Sequence, residues 1–333
     1  MADAGIGRLR QMTNAGEILR DQITRDGPVP FHRFMEVALY QPGCGFYQRG
    51  RDPFGRAGDY FTAEQIQPVF GILVAQRIRQ LYEELGRPAD FIVVELGAGR
   101  AEMAEAFSDF RYSPVEIGAG GWPARFTGVV FSNEFFDALP VHVVVRRRRE
   151  FREMLVDWRL DRFVWSEGAP VGGEVADYLS RYAAGVEDGS WVEVNLDALG
   201  WLDRIAARLE RGWVVSIDYG YTAPELIRFP RGTLMSYRRH VATEDVLLTP
   251  GDRDITAHVN FTALAEHGAR RGLRPCRLEN LSRTLIAAGE PDAFALALNS
   301  SSPAEDLRRR AQLKTLLFGM GETFRTLIQR KAE

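Results

Sequence analysis

Val93-Val94-Glu95-Leu96-Gly97-Ala98-Gly99-Arg100-Ala101 is the stretch on which the fold turns. Residues 91–94 form a short apolar run of the kind that fills a strand buried on both faces. An acidic residue follows, then two glycines one residue apart, then a segment over about 101–107 that reads as a helix. A turn of this kind lets a ligand approach the backbone closely and sets it near a helix N-terminus.

The alternation continues on both sides. Upstream, residues 14–26 read as a surface helix stopped by Gly27-Pro28, and Pro30 opens a second with Phe31, Phe34, Met35, Ala38 and Leu39 on one face. Thr62 with Gln65 fits a capping box for a helix reaching about Leu85, in which Pro68 marks either a kink or the true start. Downstream, strands are expected at 112–117, 129–131, 191–194 and 213–218, with a helix over 199–209. Residues 141–165 break the pattern: they are β-rich without a helix, which predicts an antiparallel hairpin inserted in the frame. Little regular structure is expected over 222–260, a length of irregular chain that is usually functional or mobile. A helix over 261–271, a strand over 276–281, a helix capped by Ser302 and a last strand over 323–328 complete the reading. The class is α/β, with a doubly wound and mostly parallel sheet. Residues 1–90 are expected to form a helical extension packed on the core. Residues 91–333 then form the main domain, with a β insertion at about 141–190 and an acceptor-side segment at about 222–260.

Composition removes several functions. A net charge of -3 over 333 residues predicts no bulk attraction to nucleic acid or to an anionic membrane. The run 146–149 of four arginines reads as a solvated strand end facing Glu150 and Glu153. No stretch approaches the roughly 18 uninterrupted apolar residues of a membrane span, and no secretory signal or transit peptide is recognised, so cytoplasm is the expected compartment. The two cysteines, Cys44 and Cys276, are far apart and suit a reducing environment. The only lysines, Lys314 and Lys331, do not follow a glycine, so a phosphate-binding GxxxxGK(S/T) loop is absent. His32, His142, His240, His258 and His267 show no metal-ligand spacing, and no metal is expected.

Two cofactor classes use such a turn. The dinucleotide pattern GxGxxG requires a small residue where this chain has Glu102, which would crowd a pyrophosphate. The pattern (D/E)xGxGx(G/A) is met by Glu95, Gly97, Gly99 and Ala101, and it is the pattern of S-adenosylmethionine methyltransferases. That cofactor carries a sulfonium and an amino group, so an acid beside the turn is favourable. Glu116, about 20 residues past Gly97 at the end of the next strand, is placed to accept the ribose hydroxyls. The competing reading is a tight turn with no ligand.

Other segments then make the resemblance specific. Gly58-Asp59-Tyr60-Phe61-Thr62-Ala63-Glu64, Ser132-Asn133-Glu134-Phe135-Phe136-Asp137-Ala138-Leu139-Pro140, Asp218-Tyr219-Gly220-Tyr221, Asp254-Ile255-Thr256-Ala257-His258-Val259-Asn260-Phe261 and Gly319-Met320-Gly321 with Phe324 occur in one order with the glycine turn. Over about 28–328 the chain resembles the MidA family, whose eukaryotic members are mitochondrial methyltransferases that assist assembly of respiratory complex I. The resemblance implies a Rossmann-like class I methyltransferase fold, S-adenosyl-L-methionine as cofactor, and a protein partner bearing an arginine acceptor. In the mitochondrial members that acceptor is an arginine of a complex I subunit, dimethylated symmetrically. This chain departs in one place: residues 102–131 are shorter than in the family, and residues 118–122 stand where the adenine pocket would be shaped.

Candidate roles follow. Glu134 and Asp137 lie just past a strand's carboxyl end, where two carboxylates could hold a guanidinium; Asp137 could instead cap the next turn. Asn133 could meet the cofactor's amino group or serve as a turn residue. Asp59 and Thr62 are expected to close over the cofactor, Thr62 with helix capping as its rival role. Asp218 and Tyr219 could line the acceptor channel or form a turn. His258 could take the released proton or be a structural histidine. Three other functions compete: a catalytically weak assembly chaperone that keeps the fold, a small-molecule methyltransferase, and a nicotinamide-dependent oxidoreductase.

Overall fold

The computed structural model describes residues 14–49, 67–116, 121–239 and 241–332. Asn14 starts helix α1 (Ala15–Asp26) with a reciprocal capping box, its Oδ1 accepting the Glu17 N–H at 2.9 Å. The two-residue strand β1 (Val29–Pro30) leads into α2 (Phe31–Tyr40), whose expected apolar face is fully buried. Helix α3 (Val69–Glu84) begins directly after Pro68, so the proline marks a start. The Thr62–Gln65 capping box lies outside the described residues.

Strands β2 (Ile92–Leu96), β3 (Arg111–Val115) and β4 (Phe126–Asn133) run parallel. β2 and β4 are buried along their whole length, and alternate side chains feed opposite cores: Val93 packs under α3, Ile92 and Val94 on the other face. The helix expected over 101–107 does not form. Residues 99–109 wind through successive turns, with Ala101 N–H bonded to Ala98 O at 2.6 Å and Ala104 N–H to Ala101 O at 3.0 Å. Gly97, Gly99 and Ala101 all have positive φ, so the chain reverses hand repeatedly where a helix would have to nucleate. The turn therefore offers a ligand its backbone, and no regular helix N-terminus.

The insertion is larger than a hairpin. β5 (His142–Arg147), β6 (Glu150–Arg159) and β7 (Arg162–Pro170) form an antiparallel meander, followed by α4 (Gly173–Tyr182) and β8 (Trp191–Val194). β8 pairs antiparallel with β5, and β1 with β6, giving the order β1-β6-β5-β8 with β7 beside β6. The alternation had placed residues 191–194 in the main α/β rhythm; a four-residue apolar strand looks the same in either sheet. Helices α1 and α2 pack on this second sheet, while α3 packs on the main one, so the N-terminal extension is divided between them. The arginine run is a solvated edge: Arg147 pairs with Glu167 at 2.9 Å, and the Arg146 guanidinium lies 4.8 Å from the Phe151 ring centre.

Helix α5 (Leu196–Arg208) and β9 (Leu209–Tyr221) return to the main sheet. Residues 222–260 are more regular than expected. A 3-10 turn (Ala223–Arg228) precedes β10 (Met235–Arg238), β11 (Val241–Thr243) and β12 (Asp254–Thr256), which form a small antiparallel sheet. Strands of three or four residues are too short to show a period. The chain ends with β13 (Val259–Asn260), α6 (Phe261–Arg270), β14 (Leu273–Asn280), α7 (Leu281–Gly289), α8 (Ala295–Leu298), α9 (Pro303–Thr315) and β15 (Phe324–Lys331).

The main sheet has the order β14-β15-β9-β4-β2-β3, with β13 also on β9. β15 runs antiparallel between β9 and β14; β3, β2, β4 and β9 are parallel. α3 and α7 cover one face, α5 and α6 the other. Among the described residues β3 is the edge on this side of the sheet. The strand order reverses between β2 and β4, which makes the crevice at their carboxyl ends the expected ligand site.

Candidate active site

Two segments meet at that crevice. On the β2 side, Gly97 has φ +67°, and a Cβ built there would lie 2.8 Å from Phe135 Cδ2. The glycine is thus required by the packing of the segment after β4 as well as by its own backbone. The Gly99 N–H donates to Glu116 Oε1, which anchors the carboxylate one residue past β3. Glu95 is 1% exposed, and its Oε2 accepts the Tyr112 hydroxyl from the adjacent strand. Ala101 follows at φ +55°. Asp59 and Thr62 lie outside the described residues.

On the β4 side, Asn133 is buried, and its Oδ1 has no hydrogen-bond donor among the described residues. Its Nδ2 donates to Glu134 Oε1 at 3.3 Å. Glu134 sits in the left-handed region at φ +50°, its N–H bonded to Ile217 O at 3.0 Å across to β9. A non-glycine residue held there against its preference marks backbone strain at a candidate site. Asp137 is 4% exposed; Oδ2 accepts the Tyr219 hydroxyl at 2.5 Å, and Oδ1 has no donor among the described residues. Burial pushes the Asp137 carboxyl up to about 6, against the opposing pull of the Tyr219 hydrogen bond.

Asp218 is a scaffold residue. It is fully buried at the end of β9, and its Oδ2 accepts the N–H groups of Phe136 and Asp137 at 3.1 and 3.3 Å. Burial, then the charges of Asp137 and Glu134, raise its pKa well above the usual carboxylate range. The structure brings His258 to the same place through Tyr219: the two rings meet edge to face with centroids 5.3 Å apart. Burial lowers the His258 pKa, and its Nδ1 has no partner among the described residues. Phe324, at the start of β15, packs on the other side of Tyr219 at 5.4 Å. Asp137 and His258, distant in sequence, therefore both contact one tyrosine, Tyr219.

Tyr237 was not foreseen. Its phenol is raised by burial and then by Asp137, Asp254 and Glu134, which places it beside the same acidic group. It lies in the 222–260 stretch, where no pattern singled it out. Tyr47 donates to Asp254 Oδ1 at 2.8 Å and stacks on Tyr40, whose hydroxyl reaches Ala138 O at 2.8 Å. No group of histidine, cysteine and carboxylate side chains suited to a metal occurs among the described residues.

The family model of S-adenosyl-L-methionine-dependent methyltransferases matches residues 114–278, which hold β4, the acidic group and β9. The chain belongs to this MidA-like methyltransferase family. A protein of Burkholderia thailandensis, crystallised with S-adenosyl-homocysteine bound, is 28% identical and superposes with a TM-score of 0.85 over 95% of this chain and 91% of its own. The mitochondrial protein arginine methyltransferase NDUFAF7 homolog of Drosophila melanogaster is 28% identical over 83% of this chain and 73% of the fly protein. Human NDUFAF7, also named a mitochondrial protein arginine methyltransferase, is 26% identical over 73% of this chain and 66% of its own. The fold is accordingly that of the class I methyltransferases, the activity is methyl transfer, and the cofactor is S-adenosylmethionine. The residues fit that cofactor: Asn133 Oδ1 is a buried acceptor in need of a donor, and the neighbouring side chains are acceptor-rich, as a cationic ligand requires. No helix is long and apolar enough to cross a membrane among the described residues.

Proposed function

We propose that the protein methylates an arginine side chain of a protein substrate and carries it to the symmetric dimethyl product. The observation that carries this reading is Asp137 Oδ1, a buried carboxylate oxygen without a donor among the described residues, beside Glu134 at the carboxyl end of β4. A buried acceptor of this kind calls for a donor-rich cation. Guanidinium is charged at any physiological pH and its lone pairs are delocalised, so it is a poor nucleophile until its charge is localised. Carboxylates holding two nitrogens draw the charge toward themselves and leave the third nitrogen free to attack.

The cofactor, when bound, supplies a methyl carbon on a sulfonium. The chain's own contribution is alignment, setting the acceptor nitrogen about 3–3.5 Å from that carbon and in line. Asn133 and Glu116 hold the donor, while Glu134 and Asp137 hold the acceptor. His258, kept neutral by burial, takes the proton that leaves the methylated nitrogen. The fly and human relatives, both named protein arginine methyltransferases, support an arginine acceptor, and the family resemblance points to a subunit of respiratory complex I.

Label transfer from methyl-labelled cofactor into a host lysate, followed by acid hydrolysis, tests the reading. Symmetric dimethylarginine is expected. Glu134→Gln should lose at least a hundredfold in rate while S-adenosylhomocysteine affinity is kept. Label found only in small molecules would replace the arginine reading with a small-molecule methyltransferase. Cofactor binding with no label anywhere would favour the chaperone.

A further inference from the structure

Strand β8 of the insertion sheet runs beside residues 230–233, which lead from the 3-10 turn to β10. The Trp191 N–H donates to Pro230 O at 3.0 Å. The buried carboxylate of Glu193 then takes two bonds from one residue: Oε1 accepts the Thr233 N–H at 2.8 Å, and Oε2 accepts its hydroxyl at 3.1 Å. Gly232 makes so close an approach possible. Its φ is +79°, and a Cβ there would collide with Glu193 Oε1. Burial raises the Glu193 pKa, and the bonds from Thr233 oppose that rise.

Thr233 passes this constraint on to His258. With its hydrogen given to Glu193, the hydroxyl oxygen accepts the His258 N–H at 2.9 Å. The preceding Ala257 N–H donates to Asp137 O at 2.9 Å. Successive backbone groups are thus tied to the acidic segment after β4 and to Thr233. Phe229 belongs to the same short segment as Thr233: its carbonyl accepts the Gly232 N–H at 3.0 Å. Its ring meets the His258 ring edge to face at 5.2 Å, and Tyr219 meets it at 5.3 Å. One buried carboxylate therefore holds the segment that supplies both a backbone anchor and a ring contact for His258.

We infer that Glu193 is a positioning residue for the proton-transfer step: acting through Thr233, it fixes the His258 imidazole against Tyr219. The inference rests on His258 being the group that takes the proton, and it adds what holds that group in place. In that step the proton passes from the methylated nitrogen to a neutral imidazole nitrogen, and the N–H bonding pair stays on the nitrogen it leaves. His258 Nδ1 has no partner among the described residues. A base must stand within about 2.6–3.2 Å of the proton it takes, so a ring displaced by about 1 Å can cost on the order of 10²-fold. The link needs a hydroxyl, which donates to the carboxylate and accepts from the backbone at once. This gives the β insertion a part in the reaction, since β8 carries the carboxylate that sets the histidine.

Three substitutions test the link. Thr233→Val removes the hydroxyl at nearly constant shape, Glu193→Gln removes one acceptor at constant size, and Thr233→Ser keeps the hydroxyl. Full-length proteins are compared by label transfer from saturating methyl-labelled S-adenosylmethionine to the proteins of a host lysate. Calorimetry gives S-adenosylhomocysteine affinity, and NMR gives the His258 ring-proton shifts, assigned with His258→Gln. Thr233→Val and Glu193→Gln should each lose at least tenfold in rate, keep S-adenosylhomocysteine affinity within twofold, and move the His258 shifts, which the rings of Tyr219 and Phe229 set. Thr233→Ser should stay within threefold of wild type with the shifts kept. On the His258→Gln background, Thr233→Val should cost less than a further twofold, which a general loosening of the fold would not produce. Equal losses from Thr233→Val on the two backgrounds would overturn the positioning role. So would unmoved His258 shifts in either folded variant, or a loss in Thr233→Ser as large as that in Thr233→Val. A wild-type rate in His258→Gln would instead remove the proton-acceptor reading on which the role rests.

Discussion

The phenol of Tyr219 donates to Oδ2 of Asp137 at 2.5 Å, while Oδ1 has no side-chain donor among the described residues. The two residues stand 82 positions apart, on β9 and in the segment after β4. The contact orients the carboxylate and resists its protonation. Burial nevertheless holds the carboxyl at about 6, above its ordinary 3.8. A raised carboxylate pKa in the folded state means that ionising Asp137 works against folding. The penalty is absent below about pH 4, grows between pH 4 and 6, and is complete above that.

The first prediction is a trade between stability and turnover. Asp137→Asn should stabilise the fold at pH 8 by on the order of 2–3 kcal/mol, and the gain should vanish near pH 4. Methyl transfer should fall by at least two orders of magnitude. Tyr219→Phe should move the acid limb of the pH–rate profile upward, because it removes the one side-chain donor that favours the charged carboxylate. Denaturant melts at several pH values together with the profile check this. A stability gain for Asp137→Asn that did not depend on pH would contradict the assignment.

The second prediction separates strain from chemistry at Glu134. Its φ of +50° costs about 1 kcal/mol for a residue with a Cβ. Glu134→Gly should relieve that cost and leave the protein as stable as wild type, or more so by up to about 1 kcal/mol. Glu134→Gln keeps the strain and should leave stability within about 0.5 kcal/mol of wild type. Both should be inactive in label transfer. Urea melts run beside the transfer assay check the pair.

Local order was well marked in the chain; non-local pairing was not. The Asn14–Glu17 cap and the apolar face from Phe31 to Leu39 are set by residues within one or two turns of each other, and both were readable. The glycine turn and the segment after β4 were also located, because each is a short block with its own chemistry. The sheet to which Trp191–Val194 belongs depends on a partner strand almost fifty residues away, which no local period reports. The helix expected after the glycine turn failed because three positive φ values follow in alternate positions, and Ala101 gives no sign of its own conformation. Tyr237 had no signal, since an aromatic side chain reads as core until its neighbours are known.

A third prediction concerns the glycine turn itself. Gly27 and Gly97 both have positive φ, +88° and +67°, but a Cβ at Gly27 meets nothing within 4 Å, whereas at Gly97 it meets the Phe135 ring. Gly27→Ala should cost on the order of 1–3 kcal/mol, the backbone term alone, since φ +88° with ψ −177° is a region essentially confined to glycine. Gly97→Ala adds overpacking of roughly 1–3 kcal/mol and should also weaken S-adenosylhomocysteine, because Phe135 carries the clash to Trp201. Equal losses from the two substitutions would mean that Phe135 yields freely and that the turn and the segment after β4 are not coupled.

The last prediction sets two histidines against each other. His32 Nε2 lies 3.2 Å from Asp197 Oδ2, and that hydrogen bond raises its pKa; Glu36 and Glu153 add to the effect, and its ring stacks on His142 at 4.9 Å. His258 is lowered by burial between Tyr219 and Phe229. The raised group stabilises the fold fully below pH 6.5, and that contribution is lost as pH rises through its folded pKa. The lowered group does the reverse: it leaves the fold unpenalised above pH 6.5 and destabilises it as pH falls toward its folded value. Imidazole proton shifts, assigned with His32→Gln and His258→Gln, should show midpoints on opposite sides of 6.5. His32→Gln should lose more stability at pH 6 than at pH 9, and His258→Gln should lessen the loss seen on acidification. If both midpoints fell at 6.5, His258 would be half-protonated there and unfit to receive the proton released by the acceptor.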